Sequence, residues 1–175
     1  AGAVAADHGN KFAFCNMQIQ TVQSNLFVDG ARLGYGLMSD ECDFTLADLA
    51  RLCDVFYIGG TKVGALFGEA VVFKDEEMHR SFRYAIKQHG GMLAKGRLLG
   101  IQFVELLQGG DECLYFRLAR HANEQAARIR EAFEKKGIPM WIPSRTNMQF
   151  PILTKEQQKG LSSKYVPEFW GTYDE

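Results

Sequence analysis

Cysteine is scarce in this chain, an excess of either charge is absent, and no apolar run is long. The four cysteines, Cys15, Cys42, Cys53 and Cys113, have neither metal-ligand nor Cys-x-x-Cys redox spacing. The cysteines thus give no sign of a metal site, a disulfide framework is not expected at this length, and the thiols read as reduced, mostly buried groups of a cytoplasmic protein. With 20 Lys and Arg against 21 Asp and Glu, the net charge of −1 offers no basic surface for nucleic acid or an anionic membrane. No apolar stretch reaches the roughly 20 residues of a membrane-spanning helix. The opening Ala1-Gly-Ala-Val-Ala-Ala6 is apolar but short and lacks a basic flank, so it does not read as a signal peptide. Internal repeats and low-complexity tracts are missing too. What is present is ordinary for a globular chain of one domain, or one domain and part of a second: 46% hydrophobic and 23% charged residues.

Residues 1–25 hold no sustained period of 2 or 3.6 and read as loop or irregular, with His8 incidental. Leu26-Phe27-Val28 is a short buried-strand signal closed by Asp29-Gly30, and a loop follows through Ser39–Asp43. Thr45 with Asp48 three residues on predicts a capped helix, its apolar face made of Leu46, Leu49, Ala50 and Cys53. Val55–Ile58 is the next strand, so the segment is a βαβ unit with parallel strands. Ala70–Phe73 follows too closely for a helical crossover and is expected to return antiparallel.

Glu76–Gln88 reads as a helix with basic and aromatic faces. Met92–Gln108, apolar on most of its circumference, reads as a helix buried against a sheet or a subunit partner. Glu112–Lys136 is a long connector helix with Leu114, Leu118, Ala122, Ile129 and Phe133 inward and Gly137 as its stop. Ile138–Ile142 and Asn147–Leu153 look like strands, and Thr154 with Gln157 caps a last helix.

Two stretches can carry chemistry. Asn25-Leu-Phe-Val-Asp-Gly-Ala-Arg-Leu-Gly34 and Val55-Phe-Tyr-Ile-Gly-Gly-Thr-Lys-Val-Gly64 are each an apolar run that breaks into small residues and delivers charged groups. In an open α/β sheet the ends of parallel strands form the ligand-binding edge, which places Asp29, Arg32 and Lys62 together. Gly59, Gly60 and Gly64 let a ligand approach Lys62, and Thr61 adds a hydroxyl and an N–H suited to a phosphate oxygen. The spacing is not that of a P-loop, since one residue separates Gly60 from Lys62 and valine follows it. A lysine that forms an imine, a carboxylate that keeps a pyridine nitrogen protonated and an arginine fork for a carboxylate describe an enzyme handling an amino acid on pyridoxal phosphate. Singly, each has an ordinary reading: Asp29 as a turn residue, Lys62 as a solvated lysine, Arg32 as the partner of Asp29 or Asp43. At this spacing and on one edge they outweigh it. Tyr35 and Tyr57 lie near that edge and read as packing; His89 and His121 read as surface residues.

Val28-Asp-Gly-Ala-Arg-Leu-Gly34 and Phe56-Tyr-Ile-Gly-Gly-Thr-Lys-Val-Gly-Ala-Leu-Phe-Gly-Glu-Ala70 resemble the low-specificity L-threonine aldolases of the β-eliminating lyase superfamily. The resemblance continues through Lys87–Phe103 and Ser144–Leu153, covering most of residues 26–175. It implies a type I pyridoxal-phosphate fold: a large α/β domain with a mostly parallel sheet flanked by helices, a smaller α+β C-terminal domain, and a homodimer or homotetramer. Residues 26–111 would be part of the large domain, and 112–175 the connector helix and part of the small one; 1–25 stay unassigned. By that likeness Lys62 carries the cofactor as a Schiff base, Asp29 faces its ring nitrogen and Arg32 binds the substrate carboxylate. Lys95 and Arg97 are candidates to reach the phosphate across a subunit interface, against the plainer reading of basic side chains snorkelling to solvent.

The implied reaction is cleavage of a small amino acid, L-threonine or L-allo-threonine, to glycine and an aldehyde. The family's glycine-rich phosphate loop and stacking histidine, before the Asp-Gly-Ala-Arg strand, and its second carboxylate-binding arginine, after Glu175, are not matched. The chain therefore reads as part of a longer enzyme. A β-eliminating lyase acting on another amino acid, and a fold homologue that does not catalyse, are the alternatives.

Overall fold

The computed structural model describes residues 18–22 and 25–172. Among these residues four strands form one sheet in the order β1-β2-β3-β4: β1 Gln18–Val22, β2 Asn25–Asp29, β3 Val55–Gly59 and β4 Glu69–Phe73. The β2–β3 pair is parallel, as the βαβ reading requires, with Phe27 opposite Val55 and Val28 opposite Phe56. β4 returns antiparallel to β3, also as expected. The strand at 18–22 corrects the expectation of an irregular segment. Three of its five residues, Ile19, Thr21 and Val22, are β-branched, and it pairs antiparallel with β2. Only residues 23 and 24 join it to β2, too few for a crossover. Among the described residues the expected mostly parallel sheet is therefore a mixed one. His8 and Cys15 lie outside the described residues.

Among the described residues six α-helices accompany the sheet: α1 Leu33–Leu37, α2 Leu46–Leu52, α3 Glu76–Gln88, α4 Arg97–Leu107, α5 Leu114–Glu134 and α6 Lys155–Ser162. α1 was not legible in the sequence, since five residues with two glycines give no period, yet every one of them is buried. α2 starts at the predicted capping box between Thr45 and Asp48. Leu49 and Cys53 are buried and Leu46 packs on the core, but Ala50 is exposed. α3 has the predicted limits. α4 begins five residues later than expected, after Gly96, so Lys95 lies before the helix and not on it. Thr154 and Gln157 form the predicted box on α6.

Two corrections concern the second half. α5 buries Tyr115, Phe116, Ala119, Asn123 and Ala126, while Leu114, Leu118 and Ile129 are exposed. The buried face is thus turned by one position from the most hydrophobic stripe. Small residues at 119 and 126 allow close packing, and the Tyr115 hydroxyl and the Asn123 Nδ2 find partners inside. Asn123 Nδ2 donates to the carbonyls of Tyr35 (2.9 Å) and Met38 (3.1 Å), satisfying the open C-terminal end of α1. Residues 138–153 form no strands: one bridge joins Met140 and Pro151, with Trp141 N–H to Phe150 O at 2.8 Å and Ile152 N–H to Pro139 O at 2.8 Å. Pro139, Pro143 and Pro151 lack the N–H that a longer ladder would need. Gly137 ends the α5 region with φ +69°, as expected.

The core lies between the sheet, α1, α2 and α5, with Val28, Leu33, Leu49, Phe56, Ile58, Val63, Leu106 and Tyr115 among its buried members. No helix among the described residues is long and apolar enough to cross a membrane.

Candidate active site

The ends of β2 and β3 meet at backbone distance. Gly59 N–H donates to Gly30 O at 2.9 Å, extending the contact past the last strand pair. A Cβ on Gly59 would lie 2.3 Å from Ala31 O, and one on Gly30 only 1.7 Å from Tyr57 O. These positions are glycine because two backbones touch there. The result is that the Asp29–Arg32 turn and the Gly60–Gly64 turn share one edge of the sheet.

Three tyrosines tie the two turns together. Tyr57, on β3, donates its hydroxyl to Asp29 Oδ1, which also accepts the Ala31 N–H at 3.0 Å. Tyr35, on α1, donates to the backbone carbonyl of Lys62. Tyr115, from α5, accepts the Gly34 N–H at 3.1 Å and donates to Gly59 O at 3.0 Å. A Cβ on Gly34 would lie 2.7 Å from the Tyr115 ring, so that glycine is what admits it. Burial is the main reason the phenols of Tyr57 and Tyr115 ionise well above the ordinary value of 10.0; Asp29 adds to the shift at Tyr57. Burial also raises Tyr35, with Arg32 acting in the opposite direction. All three remain donors at neutral pH.

The predicted residues occupy this edge unequally. Asp29 ends β2, and its carboxylate is engaged by Ala31 and Tyr57 rather than by Arg32. Arg32 caps the start of α1, and its Nε is buried with no hydrogen-bond partner among the described residues. Lys62 and Thr61 are exposed on the turn after β3, where Val63 N–H and Ala65 N–H both bond Gly60 O at 3.0 Å. Glu69 accepts the Gly60 N–H at 2.7 Å and so braces the same turn from β4. Gln102 of α4 braces the next residues: its Oε1 accepts Leu66 N–H at 2.7 Å and its Nε2 donates to Phe67 O at 3.3 Å. Lys95 and Arg97 are exposed at the start of α4. Among the described residues no group of histidines, cysteines or carboxylates has the arrangement of a metal site.

The packing role read for Tyr35 and Tyr57 missed their hydroxyl contacts. A period-2 signal existed for Tyr57: with Val28 opposite Phe56, Asp29 and Tyr57 fall next on the same face of neighbouring strands. Tyr115 had no such signal, because its partners are 81 and 56 residues away.

The sheet edge so defined is that of an α/β protein carrying an amine, a carboxylate and a guanidinium whose Nε has no partner among the described residues. No family model matches the chain. The resemblance to low specificity L-threonine aldolases stands in direct comparison. The chain is 32% identical over 146 residues to the low specificity L-threonine aldolase of a Pseudomonas species, covering 80% of this chain and 40% of that protein. It is 31% identical, with the same coverage, to that of Pseudomonas aeruginosa. A solved threonine aldolase of Leishmania major superposes with a TM-score of 0.75 at 44% identity, again over 80% of this chain and 40% of the other. The chain thus spans about 40% of the length of the relatives it matches.

Proposed function

We propose that this chain is part of a pyridoxal-phosphate-dependent carbon–carbon lyase that cleaves L-threonine or L-allo-threonine to glycine and an aldehyde. The observation that carries the reading is the shared edge of β2 and β3, where tyrosine hydroxyls bond the Asp29 carboxylate and the backbone carbonyls of Lys62 and Gly59, and Arg32 at the start of α1 keeps a buried Nε with no partner among the described residues. The residues fit the cofactor. Lys62 offers an exposed amine for covalent attachment, Asp29 offers its Oδ2 to a protonated ring nitrogen, and Thr61 offers a hydroxyl. The buried Nε of Arg32 without a partner fits a substrate carboxylate, since an unsatisfied buried donor is costly to leave unpaired. When bound, the cofactor supplies an electron sink for the charge left on the substrate α-carbon. The chain's own part is to hold the amino acid by Arg32, fix the ring through Asp29 and present the Lys62 amine.

On this reading residues 26–111 belong to the cofactor-binding domain, and 112–175 are the connector helix and part of a smaller one. Lys95 is a candidate phosphate ligand. The reduced thiols fit a cytoplasmic protein. A homodimer or homotetramer agrees with the exposed apolar residues of α4, Leu98, Ile101 and Val104.

The test is chemical. The full-length protein is loaded with pyridoxal phosphate, treated with borohydride and mapped; the label is expected on Lys62. Glycine and acetaldehyde are then measured from L-threonine and L-allo-threonine, and pyruvate from serine. Pyruvate without glycine would make the enzyme a β-eliminating lyase. No label and no product would leave only a fold homologue.

A further inference from the structure

We infer that Tyr57 is a positioning residue for Asp29: its hydroxyl, with the Ala31 N–H, holds one carboxylate oxygen and leaves the other for the ring nitrogen. The inference rests on the proposed cofactor reading. Both donors converge on Oδ1, the Ala31 N–H at 3.0 Å and the Tyr57 hydroxyl from the neighbouring strand. Oδ2 makes no hydrogen bond among the described residues. The Ala31 contact alone closes a local turn within two residues of Asp29 and leaves the plane of the carboxylate free to rotate. A second donor from β3 removes that freedom. It also keeps the carboxylate from swinging toward Arg32, three residues on, whose guanidinium the reading assigns to the substrate.

Tyr57 is suited to the task. It sits on a central strand paired on both sides, with Val71 opposite on β4, so its backbone is not free to move. Burial chiefly keeps the phenol protonated, and the two charged groups that face it, Asp29 from β2 and Glu69 from β4, add to that effect. The Glu69 carboxylate is itself tied to the Gly60 N–H at 2.7 Å. Tyr57 therefore donates at any working pH, and its geometry is set by the sheet. This is what a group that orients a catalytic carboxylate requires.

The decisive variant is Tyr57→Phe in the cofactor-loaded full-length protein, which removes one oxygen and keeps the ring. The borohydride label on Lys62 should be retained and KM should hold within about twofold. The kcat should fall about tenfold, the scale of one hydrogen bond to a charged group. The absorption band of the bound cofactor should change its pH dependence, which a purely structural contact would not alter. A band, pH profile and kcat equal to those of the unsubstituted protein would overturn the positioning role while leaving the cofactor reading intact. No label on Lys62 in the unsubstituted protein would remove the cofactor reading and this inference with it. Should Tyr57→Phe not fold, replacing Tyr57 by 3-fluorotyrosine keeps the contact and acidifies the donor. The pH dependence of the band must then shift, and an unshifted profile counts against the proposal.

Discussion

The edge of β2 and β3 and the outer face of α4 are both rich in apolar and small residues, yet the fold treats them in opposite ways. At the edge, Val28, Leu33, Phe56 and Ile58 are buried and two backbones touch. Side-chain hydroxyls from β3, α1 and α5 occupy the polar groups that the touching turns would otherwise leave open. On α4, Leu98, Ile101 and Val104 are 61%, 59% and 60% exposed, although Leu106 on the opposite side is buried. The difference separates what the described residues complete by themselves from what they leave uncovered. The edge is packed, and Arg32 Nε there has no partner among the described residues. The α4 face is apolar surface with no cover among the described residues.

The largest expected effects lie at the edge. Lys62→Ala should abolish the borohydride label and glycine formation while leaving the thermal melt nearly unchanged, because the side chain is exposed. Asp29→Asn should keep the label but lower kcat about a hundredfold, the scale of removing one preorganised charge; full activity would remove Asp29 from its role. Next comes one substitution made in both regions. Gly59→Ala should cost about 3 kcal/mol in urea unfolding, since the new Cβ meets Ala31 O at 2.3 Å. Gly100→Ala, with nothing within 4 Å of the new Cβ and a helical backbone, should add about 1 kcal/mol. Equal effects would mean that the edge is no more tightly built than the helix.

A smaller effect follows from the tyrosines. Tyr57 and Tyr115 bind their protons more tightly when folded than the ordinary value of 10.0 implies. Their contribution is complete below pH 10 and is lost as pH rises toward the folded values, because the unfolded chain ionises first. Urea midpoints measured upward from that pH should fall, and should fall less steeply in Tyr57→Phe. The smallest effect on folding is expected at Ile101→Glu. The stability of the isolated chain should change by no more than about 0.5 kcal/mol. Any assembly seen by light scattering should weaken sharply if it uses this face.

Much of the molecule was readable before any fold was known, and the successes share a cause. The capping boxes at Thr45 and Thr154, the limits of α3 and the turn at Gly137 depend on residues within four positions of one another. So did the parallel β2–β3 pair, whose connection length admits a crossover, and the antiparallel β4, whose connection does not. The misreadings share the opposite cause. α5 was turned by one position because hydrophobicity ranks Leu114 and Leu118 above Tyr115 and Asn123, while polar partners on α1 and β3 reverse that order. The strands expected near residues 140 and 151 ignored three prolines that withhold donors.

The sequence by itself determined that Asp29, Arg32 and Lys62 stand at the ends of two neighbouring strands, because alternation, capping and connection length are local and each residue carries its own signal. Only the tertiary structure decided how those groups are held. Tyr57 reaches the Asp29 carboxylate from 28 residues away along the chain, Tyr35 the Lys62 backbone carbonyl from 27, and Tyr115 the Gly59 carbonyl from 56. Hydrogen bonds across such separations leave no periodic trace in a sequence. They arise where strand register and helix packing bring a buried hydroxyl to an open backbone or carboxylate group, and that coincidence belongs to the fold.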